Sequence, residues 1–95
     1  MRVVWTQSAR LDLKEILEFY DRRNPVAARE LIKDIQFSAS QLEFFPELGR
    51  KSEDGKTRLQ QVPRRPYLLP YRIVELDVEI LAVFDERRQR PGKYQ

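Results

Sequence analysis

Ninety-five residues suit one small domain, with a single core that needs no metal or disulfide staple. The chain contains neither cysteine nor histidine, which excludes a disulfide framework, a thiolate zinc site and a cysteine nucleophile. Its net charge of +3 is unevenly spread: residues 1–48 hold 7 basic against 8 acidic groups, residues 49–95 hold 11 against 7.

Val3-Val4-Trp5 is β-branched and aromatic and predicts a first strand. From Ser8 the period changes: Ala9, Leu13, Ile16, Leu17 and Tyr20 fall on one face of a helix running to Asn24. Ser8 is the expected cap, with Asp12 and Glu15 near the positive end and Arg22-Arg23 at the negative one. Asn24-Pro25 then opens a second helix, Asn as cap and Pro at the first helical position. Its stripe of Ala28, Leu31, Ile32, Ile35, Ala39, Leu42 and Phe45 extends to Phe45, and Pro46 stops it. With almost no linker the two helices must fold back on each other as a hairpin.

Glu47 to Thr57, with two glycines and many charges, predicts a mobile loop. Arg58 to Val62 reads as a strand ended by Pro63. Leu68–Glu75 and Val78–Phe84 read as a hairpin joined at Leu76-Asp77, its second strand apolar on both faces and so central. Pro70 marks a bulge or an unpaired amide position. Residues 89–95 are poor in apolar groups and predict a loosely ordered tail. The expected fold is one α+β domain over 1–95, a strand and a two-helix hairpin packed on a mainly antiparallel sheet, in the order β-α-α-β-β-β. The start of the chain has no signal-peptide core, and no apolar run approaches the ~20 residues of a membrane span. A soluble cytoplasmic protein is expected.

Between Gly55 and Val74 stand five basic residues and no acid, which favours an anionic partner or a solvated face. Arg72 also has a structural use, bridging to Glu79 across the hairpin. Tyr20, Tyr67, Tyr71 and Trp5 read as packing residues. Asp12 and Asp34 lack partner acids at ligand spacing, so no metal is expected.

In order and spacing, several blocks resemble the RelE/ParE superfamily of toxins from bacterial type II toxin–antitoxin pairs, nearer its ParE-like branch. They are Ala9-Arg10-Leu11-Asp12-Leu13, Asn24-Pro25-Val26-Ala27-Ala28, Leu42 to Arg50, Arg65 to Arg72, and Val78 to Phe84 before Arg87-Arg88. The resemblance implies a toxin associated with growth arrest and plasmid stabilisation. It implies a cognate antitoxin whose C-terminal segment wraps the toxin in a hetero-oligomer, and no cofactor. It also implies one of two targets: DNA gyrase, poisoned by binding, or ribosome-bound mRNA, cleaved as by RelE endoribonucleases. Many relatives place a histidine after the last strand, where this chain has Asp85. That departure keeps open an attenuated toxin that mainly binds its antitoxin.

The binding reading assigns target or antitoxin contacts to Arg58, Arg65, Arg72, Arg87, Arg88 and Arg90. RNA cleavage would need a base, an acid and charge stabilisation at the phosphate. Here that set would be Asp85 or Glu86 as base, Tyr94 or a lysine as acid, and Arg58, Arg72 and Arg87 on the phosphate. Arginines without a clear acid/base pair more often bind than catalyse, so binding is the preferred reading.

Overall fold

The computed structural model describes residues 1–88. The expected tail at 89–95, and with it Arg90 and Tyr94, lies outside the described residues.

Strand β1 (Arg2–Trp5) leads into helix α1 (Gln7–Asp21) and helix α2 (Pro25–Ser40), which a single 3₁₀ turn (Gln41–Glu43) prolongs. Strands β2 (Arg50–Lys51), β3 (Arg58–Gln61), β4 (Tyr67–Val74), β5 (Asp77–Ile80) and β6 (Phe84–Asp85) follow. The sheet runs β1-β5-β4-β3-β2, with β6 also on β4. β1 is parallel to β5, and the other pairs are antiparallel. The expected α+β layering is therefore present, with one short strand, β2, added and the last expected strand divided into β5 and β6. No helix among the described residues is long and apolar enough to cross a membrane.

The helix boundaries follow hydrogen-bond chemistry. Thr6, not Ser8, caps α1: its amide bonds Ile80 O at 3.1 Å and its Oγ1 accepts from the Ala9 amide at 3.2 Å. The end of β1 is thus fixed by β5 one residue before the helix begins, which leaves Ser8 inside the first turn. Asn24 caps α2 as the sequence predicts, with Oδ1 accepting from Ala27 N at 3.1 Å. α2 stops at Ser40 rather than Phe45. Ser40 Oγ donates to Phe37 O at 2.7 Å, the chain tightens into the 3₁₀ turn, and Phe45 rotates out to 63% exposure.

One face of the sheet meets the helices. Tyr67, Leu69 and Tyr71 of β4 and Val78 and Ile80 of β5 pack there with Leu31, Ile35 and Ala39 of α2 and Ala9 of α1. The register turns Leu59, Leu68 and Pro70 to the opposite face, where they too are buried.

Pro70 does what a proline in a strand must. Its carbonyl accepts from Leu81 N at 2.8 Å, so its missing N–H faces the same neighbour. There the ladder breaks. Tyr71 pairs with Ile80 but Leu68 pairs with Phe84, so Leu81–Val83 hold one residue more than the two between Leu68 and Tyr71. The expected continuous strand 78–84 is therefore two strands around a bulge, and Leu81 is only half-buried.

The segment read as a mobile loop is tied down at both ends. Tyr71, fully buried, donates its hydroxyl to Pro46 O at 2.7 Å and accepts from Gly49 N at 2.9 Å. Farther on, the Asp54 carboxylate accepts from Ser52 Oγ and from the amides of Lys56 and Thr57, which hold its carboxyl well below the usual range. Sequence composition shows the charges of this stretch but not their mutual bonding.

Two predictions test these restraints by urea unfolding. A Cβ at position 49 would lie 2.7 Å from Tyr71 Cε1 and 2.9 Å from Leu59 O, so Gly49→Ala should cost about 2 kcal/mol. Tyr71→Phe, which strands two polar backbone groups, should cost about 1–3 kcal/mol. Glu75, in the β4–β5 turn at φ 55°, occupies the left-handed region, and Glu75→Gly should raise stability by about 0.5–1 kcal/mol.

Candidate functional site

The arginines singled out in the sequence do not form one patch. Arg58, at the start of β3, donates Nη1 to Gly49 O at 2.8 Å and Glu47 O at 3.2 Å, bracing the segment that Tyr71 holds. Arg72 pairs with Glu79 at 2.7 Å across β4 and β5, the structural use anticipated for it. Both side chains are partly solvated, so the pair is worth about 0.2–1 kcal/mol. Arg72 also lies five residues along β4 from Tyr67, about 17 Å of strand. It faces the side opposite the helices.

Arg65 and Arg87 do come together, at the other end of β4, and Arg88 lies beside Arg87. Arg65 Nε bonds Asp34 Oδ2 at 2.9 Å. Arg87 is held more firmly. Its Nε and Nη2 engage the two oxygens of Asp85 at 3.0 and 2.8 Å, and Nη2 also reaches the Tyr20 hydroxyl at 3.3 Å. The guanidinium holds the Asp85 carboxyl below its usual range, and the carboxylate in turn raises Arg87. Arg88 is exposed and its side chain bonds no carboxylate among the described residues.

Beside this cluster runs a groove of about 720 Å³ between α1 and the edge of β6. β1 pairs only with β5 and ends at Trp5, so among the described residues no strand lies on the outer side of Ala82–Asp85. In place of a strand, Asp12 of α1 reaches across and accepts from Val83 N at 3.0 Å. Burial pushes the Asp12 carboxyl up, against the lowering effect of that amide. Ile16, Phe19 and Phe84 supply apolar wall, Asp12 and Glu15 acidic groups, and Arg87 and Arg88 basic ones. Tyr20 and Tyr67 line the groove near Arg87. Hydrogen bonding with Tyr67 and Arg87 holds Tyr20 below the usual phenol range, while burial pushes Tyr67 up.

An open strand edge flanked by apolar walls and charges of both signs can take an extended peptide. The nuclease set is differently placed. Arg58 and Arg72 are engaged elsewhere, Asp85 is an ionised partner of Arg87, and Tyr94 lies outside the described residues. Sequence reasoning missed Asp12 as a groove residue, taking it for a helix-dipole acid; Tyr20 packs against the core as expected and also lines the groove. Tyr20 closes the α1 stripe next to the Arg22-Arg23 pair, the one trace of its position that the sequence carries. Nothing in the sequence links Asp12 to Val83, 71 residues away.

The chain matches the family model described as ParE toxin of type II toxin-antitoxin system, parDE, over residues 3–90. It is 34% identical over 90 residues to "Putative toxin Y4kP" of Sinorhizobium fredii, covering 95% of this chain and 93% of that protein. Over 82 residues it is 30% identical to Toxin RelE2 of Caulobacter vibrioides, covering 86% and 91%. A solved structure, described as a chromosomal ParDE TA system from P. aeruginosa, superposes with a TM-score of 0.81 at 27% identity, covering 90% of this chain and 95% of that one. With the family model matched over residues 3–90 and relatives matched over nearly their whole length, the chain belongs to the ParE toxin family of type II toxin–antitoxin systems.

Proposed function

We propose that this ParE-family toxin is held inactive in the cytoplasm by a cognate antitoxin whose extended segment occupies the α1–β6 groove. Released, it arrests growth by binding DNA gyrase, with no chemistry of its own. The observation that carries the antitoxin part is the outer edge of Ala82–Asp85, where Asp12 stands in for a missing strand at Val83. A docked segment would replace or share that hydrogen bond and bury Phe19 and Ile16. Arg88, exposed in the groove lining and with no side-chain ion pair among the described residues, offers it a cation.

Support for gyrase rather than mRNA comes from family resemblance and from the dispersal of the would-be nuclease residues. Arg58 and Arg72 serve backbone carbonyls and Glu79, and Asp85 is neutralised by Arg87. A phosphate clamp with an acid and a base within reach of one scissile bond would have favoured RNA cleavage.

Two measurements test this. With the antitoxin encoded beside the toxin gene, Arg88→Glu should weaken binding about tenfold or more and leave the unfolding midpoint unchanged. Unaltered affinity would place the antitoxin elsewhere. Expression of the chain alone should abolish supercoiling by purified gyrase while ribosome-bound mRNA stays intact. Cleaved mRNA would establish the endoribonuclease reading, and neither effect the attenuated one.

A further inference from the structure

A second, smaller cavity of about 250 Å³ opens between the start of α2 and the β3–β4 turn. Two guanidiniums line it, those of Arg65 and Arg87, along with the tyrosines Tyr20 and Tyr67, and among the described residues no carboxylate does. That separates it from the larger groove, whose lining includes Asp12, Glu15 and Asp85. The two arginines are anchored from behind, with donors to spare. Arg65 uses only Nε, on Asp34, and neither of its terminal nitrogens makes a hydrogen bond among the described residues. Arg87 uses Nε and Nη2, and its Nη1 makes no hydrogen bond among the described residues. Asp34 and Asp85 therefore act as struts that fix the direction of the forks.

The turn presenting Arg65 is itself constrained. Arg65 N donates to Val62 O at 3.1 Å, Val62 N to Tyr67 O at 3.0 Å, and Arg64 sits at φ 62°. Buried Ala28 and Leu31 form part of the wall, and Asn24 and Ala27 place the positive end of the 16-residue α2 at the rim.

We propose that this cavity is a phosphate-binding site, gripped by Arg65 and Arg87 from two sides with a tyrosine hydroxyl as a further donor. One carboxylate would be saturated by a single guanidinium fork. Donors converging from separate walls suit the several oxygens of a tetrahedral phosphate, free or at the end of a nucleotide. This goes beyond the antitoxin reading, because it requires a small ligand on the toxin by itself.

The test is titration of the full-length chain with inorganic phosphate, followed by the side-chain Nε–H resonances of Arg65 and Arg87 and the amide of Ala27. Saturable shifts confined to these groups are expected. Arg65→Gln and Tyr20→Phe should each weaken binding, the first about tenfold, whereas Lys51→Gln should leave it unchanged. Retained amide dispersion in each variant separates lost binding from lost fold, and Tyr20→Phe keeps the Asp34–Arg65 strut intact. Adenosine monophosphate provides the second arm: tighter binding than inorganic phosphate assigns the site to a nucleotide, weaker binding to the free anion. Non-saturating shifts, equal shifts with acetate, or equal weakening by Lys51→Gln would overturn the proposal.

Discussion

Pro70 lacks an amide hydrogen, and much of the end of the molecule that holds the candidate groove follows from where that deficit falls. It points at the C-terminal strand, so the ladder between β4 and that strand cannot run unbroken. The extra residue taken up at Leu81–Val83 ends β5 at Ile80 and restarts pairing at Phe84. β1 follows only the first half, and α1 leaves the sheet at Thr6, which bonds Ile80. Among the described residues no strand pairs the outer edge of the second half, which lies beside α1 and is met there only by Asp12. The groove is thus the geometric remainder of a strand that one missing hydrogen bond divides in two.

Charge arrangement is the second organising feature. The basic surplus of the C-terminal half suggests a field open to any polyanion, but the folded chain spends much of it internally. Arg72 answers Glu79, Arg65 answers Asp34, Arg87 answers Asp85, and Arg58 braces carbonyls. These contacts are mostly solvated and add little stability each. Their larger effect is orientation. A guanidinium held by one edge presents the other edge in a fixed direction, so Arg65 and Arg87 face a common cavity rather than sweeping the solvent.

The layering and the helical hairpin were legible in the sequence because they rest on local rules: apolar period, the Asn24-Pro25 cap and β-branched runs. The strand expected to be central, 78–84, is flanked on both sides, among the described residues, only as far as Ile80. Pro70 was read as a bulge or an unpaired amide position in its own strand; the extra residue falls opposite it, at Leu81–Val83. Boundaries were less legible where a distant partner decides them, as when Ile80 fixes Thr6 as the cap in place of Ser8. The ordered segment after Pro46 was hidden for the same reason, since its restraint is a tyrosine hydroxyl from another strand. The site was half readable. Composition pointed to arginines, but only the folded register distinguishes Arg65 and Arg87, which converge, from Arg72, which lies on the other face some way up the strand.

The contact between Gly49 and Tyr71 reaches past stability into how this sequence can drift. The ring and hydroxyl of Tyr71 fill the space a side chain at position 49 would need, and the same hydroxyl accepts the amide of that residue. The two positions, 22 residues apart, are therefore coupled by one contact. A descendant that gains bulk at one must surrender the ring at the other, and related chains laid side by side should record that exchange as paired change.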